Sequence, residues 1–404
     1  MPRLLLSDPS LPPALHGPLL VDGLGRPRFW AEVESFLLHG RLRPSTLHGQ
    51  LGAIERLYVF SQQLPRRTDL DGLIGRQDLA RLDEVLHSFF SRLRNESLRT
   101  KRGSDAAWRA ACQFAVGSCK RLLRSQGPKA LLNADSLLAT LMRLDQDLVV
   151  KRSRRRARAR GLPAVVIEDL YDIIRPDSAR NPFRTEPLRQ RNFVIVLLYL
   201  HQGLRRGELL QLPVDAIKEE FDPHAGQTRL WMNVEENPYE RGDPRAARPM
   251  LKNEGAHRQT PISQALVDAV DTYVQNFRRR QSTRFMFCSQ ERKPLSSREV
   301  NKVFERLTRS LSADARQALW KRGAPARVTP QDLRHTCAAV RLNQLVGADE
   351  ARLPSAIEQL RPFFGWVRDS EMPLLYARTY FEGRIAKVWN SAFDARVEFL
   401  RSVP

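Results

Sequence analysis

Cysteine is scarce in this chain: four in 404 residues, Cys112, Cys119, Cys288 and Cys337. None forms a CxxC pair and none has a histidine at zinc-ligand spacing, so neither a disulfide framework nor a structural zinc is indicated and a reducing compartment fits. Long apolar runs are also lacking. The longest, Phe193 to Leu200, falls far short of the ~20 residues that span a bilayer. Pro9, Pro12 and Pro13 interrupt the leucine-rich start, which argues against a secretory leader. There is no GxxxxGK[ST] phosphate loop and no acidic metal cluster. Acidic residues are outnumbered, 45 Asp and Glu against 66 Lys and Arg, a formal charge of +21.

That surplus implies a polyanion partner, most simply a phosphate backbone whose condensed counterions are released on binding. Its plain alternative is a surface made basic by an arginine-rich composition. With 42% hydrophobic residues, 18 Phe and 6 Trp, the chain has the material for packed cores. Its length predicts more than one of them.

Along the chain, residues 1–28 read as an irregular arm. Helical periodicity begins at Phe29-Trp30, Val33, Phe36 and Leu37. It continues through the stripe Leu47, Leu51, Ile54, Leu57 and Tyr58, a segment near Leu79–Leu93, and one after Ser104-Asp105 that carries Trp108, Ala111 and Phe114. Residues 29–150 thus predict a helical domain. Residues 151–160, KRSRRRARAR, hold seven Lys or Arg in ten positions. With Gly161 and Leu162 they read as an interdomain linker, either a solvated tether or a strap whose Lys151, Arg152, Arg154, Arg155, Arg156, Arg158 and Arg160 follow phosphates.

From residue 163 the pattern is mixed. Val165–Ile174 and Leu188–Leu200 predict helices, the second more buried, and Gly203 stops it before a helix carrying RRGELLQL. Arg229–Val234 predicts a strand. After the polar insertion 235–248, Pro249–Lys252 and His257–Ile262 predict a hairpin closed by Asn253-Glu254-Gly255. Ser263–Phe277 reads as helix and Arg284–Cys288 as a short strand. Ser296 with Glu299 reads as a capping box. The fold class is therefore mainly α with a small antiparallel β-sheet in the second domain.

Three separated segments carry chemistry. In Gly203-Leu204-Arg205-Arg206-Gly207-Glu208-Leu209, Arg205 starts a helix where anions bind well, and Glu208 lies three residues on to orient its guanidinium. In Thr329-Pro330-Gln331-Asp332-Leu333-Arg334-His335-Thr336, Thr329 caps a helix that presents Arg334. The third is Gly365-Trp366, followed ten residues after the Trp by Tyr376 in MPLLYARTY.

In this order the segments resemble the tyrosine recombinase, or phage-type integrase, family. The motifs cover about residues 163–395, and architecture alone extends the likeness over 29–145. The resemblance implies a two-domain architecture: a helical core-binding domain (29–150), the linker 151–162, a mixed α/β catalytic domain (163–383) and a C-terminal helix and tail (384–404). It implies that Arg205 and Arg334 clamp the scissile phosphate, bidentately and with permanent charge. Lys252 would protonate the departing 5′ oxygen, and Trp366 would offer its ring N–H where the family has His or Trp. Tyr376 would be the nucleophile, with Tyr380 a rival because the Trp-to-Tyr spacing is one residue longer than usual. Gln331 departs from the family's histidine; its amide can donate a hydrogen bond but cannot take a proton near pH 7. His335 is read as structural, facing a different side of the helix.

The implied function is site-specific cutting and rejoining of double-stranded DNA through a 3′-phosphotyrosyl link, without metal, ATP or other cofactor, by a homotetramer on paired sites in a bacterial cytoplasm. Related recombinase subunits are possible co-partners. A type IB topoisomerase, an inactive paralogue serving as an accessory DNA binder, and a general basic nucleic-acid binder are the alternatives. The final amphipathic segment, with Ile385, Val388, Trp389 and Phe393 on one face, packs either on its own domain or on a neighbour.

Overall fold

The structure, a computed structural model, describes residues 3–6, 10, 17–39, 41–42, 44–64, 68–100, 104–127, 129, 135–150, 161–224, 226–239, 243–245, 248–251, 254–278, 283–322, 326–347, 349–373 and 375. The chain divides into two compact units, Met1–Arg156 and Ala157–Pro404. Among the described residues no helix is long and apolar enough to cross a membrane.

The first unit corrects one expectation. Its start is not irregular: β1 (Arg3–Leu6) pairs antiparallel with β2 (Gly17–Leu20), Arg3 opposite Leu20 and Leu6 opposite Gly17. Asp22 then folds the chain back, its Oδ1 accepting from the backbone N–H of Leu24 at 2.8 Å and of Arg26 at 2.9 Å. Helices α1 (Phe29–Leu38), α2 (Pro44–Gln62), α3 (Leu70–Arg76), α4 (Leu79–Thr100), α5 (Asp105–Ser125) and α6 (Asp135–Asp147) follow. The predicted stripes of α2 and α4 bury, but that of α1 does not: Phe29, Phe36 and Leu37 are exposed. Leu51, Ile54 and Leu57 of α2 and Leu82, Leu86 and Phe89 of α4 meet Trp108 and Phe114 of α5 in one core. Each fully buried side chain of this kind contributes roughly 1.5–3 kcal/mol. The short α3 and α6 are not visible as separate elements in the periodicity.

In the second unit α7 (Ala164–Ile174) precedes α8 (Glu186–His201), which is buried on every side from Arg191 to His201. The apolar run Phe193–Leu200 makes it the central helix. Packed on it are α7, α9 (Arg206–Gln211), α10 (Gln264–Thr272, continued by a π turn over Tyr273–Phe277) and α13 (Pro330–Val346). The remaining helices are α11 (Ser297–Ser310), α12 (Ala313–Arg322) and α14 (Leu353–Phe364). The capping box before α11 is present: the Glu299 N–H donates to Ser296 Oγ at 3.2 Å and the Ser296 N–H to Glu299 Oε2 at 2.9 Å.

The sheet differs from expectation. It has three antiparallel strands in the order β3 (Ile217–Asp222), β4 (Gln227–Val234), β5 (Arg258–Pro261), with Trp231 opposite Pro261 and Val234 opposite Arg258. The expected hairpin between 249–252 and 257–262 is therefore corrected: β5 pairs with β4. Residues 249–251 are not strand; the Pro249 carbonyl instead accepts from the Gln211 side chain. Segment 284–288 is likewise not a strand but two isolated bridges, Phe285 to Pro213 and Cys288 to Pro294.

Candidate active site

Arg205 is held at the N-cap of α9. Gly203, in a left-handed conformation with φ +57°, turns the chain out of α8 so sharply that a Cβ there would collide with the Phe364 ring. Glu208, at the third helical position, takes the Arg205 backbone N–H on Oε2 at 2.8 Å and its guanidinium Nη1 on Oε1 at 2.6 Å. One residue thus caps the helix and fixes the side chain.

Two more arginines reach the same carboxylate. Arg258 of β5 donates through Nη2 to Glu208 Oε2 at 2.9 Å. Arg334 of α13 brings Nη1 to 3.7 Å from that oxygen. All three guanidinium groups also bind carbonyls at the C-terminal end of α14. Arg258 Nε donates to Phe363 O at 2.8 Å, Arg334 Nη2 to Phe364 O at 2.7 Å and Arg205 Nη2 to Gly365 O at 2.8 Å. These carbonyls have no partner within their helix and form the negative end of its dipole, so cations suit them. Gly365 permits the convergence: its φ is +58°, and a Cβ there would stand 2.5 Å from Gly255 O.

The electrostatics follow from burial. The Glu208 side chain is 0% exposed, those of Arg334 and Arg258 3% and 5%, and that of Arg205 17%. Burial pushes the Glu208 pKa up, but the hydrogen bond from Arg258 and the charges of Arg258, Arg334 and Arg205 outweigh it and hold it at about 2. One carboxylate faces three cations. The cluster keeps a positive surplus, and Arg205 is its most exposed member, which is an arrangement suited to a phosphate.

Trp366 follows directly on Gly365. It is 8% exposed, stacks on Phe364 with centroids 4.8 Å apart, and belongs to a small core with Cys337, Leu342 and Leu360. Gln331 is exposed in the first turn of α13, where Thr329 and Asp332 form the expected box. His335 is corrected: one helical turn on, it lies on the same side as Gln331, with the two Nε2 atoms 3.2 Å apart. An amide nitrogen only donates, so the imidazole accepts and is neutral. Burial agrees, pushing its pKa down to about 4.

Arg258 is the residue that sequence reading missed as part of the cluster. Its one visible signal is a basic position on the strand after the lysine turn. Lys252, Tyr376 and the rival Tyr380 lie outside the described residues, as do Lys151, Arg152, Arg154, Arg155, Arg156, Arg158, Arg160 and the C-terminal amphipathic segment.

Residues 162–351 match the family described as the phage integrase family. Among solved structures, the XerH site-specific recombinase in a pre-cleavage complex with difH substrate is similar at 14% identity, over 89% of this chain and 84% of that one, with a TM-score of 0.46. The XerA recombinase is similar at 14% identity over 88% and 98%, TM-score 0.35. The Tn1549 transposon integrase with circular intermediate DNA is similar at 16% identity over 81% and 98%, TM-score 0.40. No curated protein matches the chain. Arg205, Glu208, Arg258, Gln331 and Arg334 all fall inside the matched segment, so the arginine cluster lies in the part of the chain that matches the phage integrase family.

Proposed function

We propose that the protein is a site-specific DNA strand-transferase. The observation that carries this reading is the convergence of Arg205 and Arg334, remote in sequence, on the buried Glu208 with positive charge left over. A phosphodiester brings one negative charge and its pentacoordinate transition state a second, so fixed guanidinium groups bind the transition state more strongly than the ground state. The Tyr376 oxygen attacks phosphorus, the bond to the 5′ oxygen breaks, and Lys252 protonates that oxygen as it leaves. The phenol proton passes to water, since Gln331 has no site for it. A 5′-hydroxyl of another strand then attacks the phosphotyrosyl link and releases the Tyr. Bond energy stays in the covalent intermediate, so neither metal nor ATP is required.

The same reading takes residues 29–150 as a core-binding domain, 163–383 as the catalytic domain and 151–162 as a basic strap between them. Four copies act on two duplex sites of a mobile element, in the cytoplasm, with 384–404 docking in cis or in trans. The relatives named above include recombinases in complex with DNA, which supports duplex DNA as the partner.

A nicked suicide duplex tests the chemistry. Wild-type protein forms a covalent adduct stable to denaturant, and Tyr376→Phe forms none. An adduct that survives Tyr376→Phe but is lost in Tyr380→Phe moves the nucleophile one turn on. No adduct from the wild-type chain overturns the enzyme reading in favour of an accessory DNA binder, and relaxation of supercoils without paired sites favours the topoisomerase.

A further inference from the structure

A second basic feature lies apart from the arginine cluster, where the first half of α8 faces α11. Arg191 is 8% exposed, yet among the described residues no carboxylate lies within ion-pair distance of it. Its Nε and Nη2 donate to Asn192 Oδ1 at 3.1 and 3.0 Å, and its Nη1 donates to Cys288 O at 2.8 Å. Burial pushes the Arg191 pKa down, outweighing the opposing charges of Tyr273, Glu299 and Cys288. Its two donations fix the Asn192 amide, so Nδ2 points away from the guanidinium. Asn192 is 0% exposed and its Nδ2 has no hydrogen-bond partner. A buried donor left open costs about 1–3 kcal/mol.

Both residues line a cavity of about 550 Å³. Lys302 and Arg306, one turn apart on α11, line it too, and Arg245 borders it already paired with Asp243 at 2.7 Å. Two further carboxylates stand on its wall: Glu299, which accepts from the Ser296 backbone and acts on Arg191 by its charge, and Glu291, which pairs with Lys293 at 3.2 Å; with Asp243 they leave the lining cations in excess. A buried cation, held in place by Asn192, and two further cations around one cavity match a compact polyanion.

We propose that this cavity is a phosphate-binding site, separate from Arg205, Arg258 and Arg334, that takes a phosphate group on Arg191, Lys302 and Arg306. The phosphate comes either from the DNA backbone or from a free phosphate ligand, and the assignment does not depend on strand transfer.

Inorganic pyrophosphate and duplex DNA are the probes, with Arg205→Ala as the parent chain so that the arginine cluster does not compete. Asn192→Asp is the decisive variant, because it keeps the size of the side chain and both bonds from Arg191 while neutralising the guanidinium. Lys302→Ala is the second, on a face where folding is not at stake. Calorimetry is expected to show pyrophosphate binding by the parent, at least tenfold weaker in both variants. Loss of binding with an unchanged salt slope for duplex identifies a free phosphate ligand. A duplex salt slope reduced by about one in Asn192→Asp identifies a backbone phosphate. If both variants match the parent in pyrophosphate affinity and in duplex salt slope, the proposal is overturned.

Discussion

Glu208 concentrates the chemistry of the cluster in one side chain. Its carboxylate accepts hydrogen bonds from Arg205 and Arg258 and lies within ion-pair distance of Arg334. Removing it leaves three cations facing one another in a largely buried space, which costs roughly 3–5 kcal/mol by the measure of broken buried pairs. The pH dependence has a definite sign. A carboxyl with an ordinary value of 4.5 held at about 2 gives stability that is complete above about 4.5 and lost as the pH falls toward 2. Glu208→Gln therefore lowers the thermal midpoint most at neutral pH, and the gap to wild type narrows across that acid window. A gap independent of pH between 7 and 2 would mean that the carboxylate charge does not hold the arginines. The variant also lets Arg205 turn away from the Gly365 carbonyl, so adduct formation falls further than stability alone requires.

At the scale of elements, the end of α14 decides where the arginines meet. Gly365 adopts φ +58° with Gly255 O 2.5 Å from where a Cβ would stand, whereas Gly347 at the end of α13 has φ +59° and open space around it. Both positions resist a side chain through backbone strain, roughly 1–2 kcal/mol. Only Gly365→Ala must also push the turn Glu254–Ala256 from the end of α14 and shift the carbonyl that Arg205 holds. The expected result is a larger fall in thermal midpoint for Gly365→Ala than for Gly347→Ala, with adduct formation lost only in the first. The sequence made the helical part of this arrangement readable. The capping boxes at Ser296 and Thr329 and the stripes of α2 and α4 are local signals, and they fold as written. The strands were less readable because their pairing is not local. The exposed, charged β3 (IKEEFD) has no alternation to reveal it, and the polar insertion 235–248 hides the fact that β5 returns to β4. Arg258 was missed for the same reason: its importance comes from what lies across the sheet and across α14.

For the whole molecule the governing quantity is the charge of +21, and its densest part is the segment 151–160. A solvated tether and a phosphate-following strap differ in one measurable respect. Each phosphate neutralised releases counterions and adds about 0.9 to the slope of log affinity against log salt. Replacing Lys151, Arg152, Arg154, Arg155, Arg156, Arg158 and Arg160 by Gln removes seven positive charges from the chain. If all of them follow phosphates, the slope falls by ~6; if half do, by ~3. Lost attraction between the net charges alone weakens binding without removing counterion-releasing contacts, so it leaves most of the slope in place. The strap reading therefore predicts a flatter salt dependence in filter-binding or anisotropy titrations, with the deficit in affinity largest at low salt and closing as salt rises. A parallel displacement of the curve, equal at every salt concentration, would show that these seven side chains tether the two units without touching the duplex.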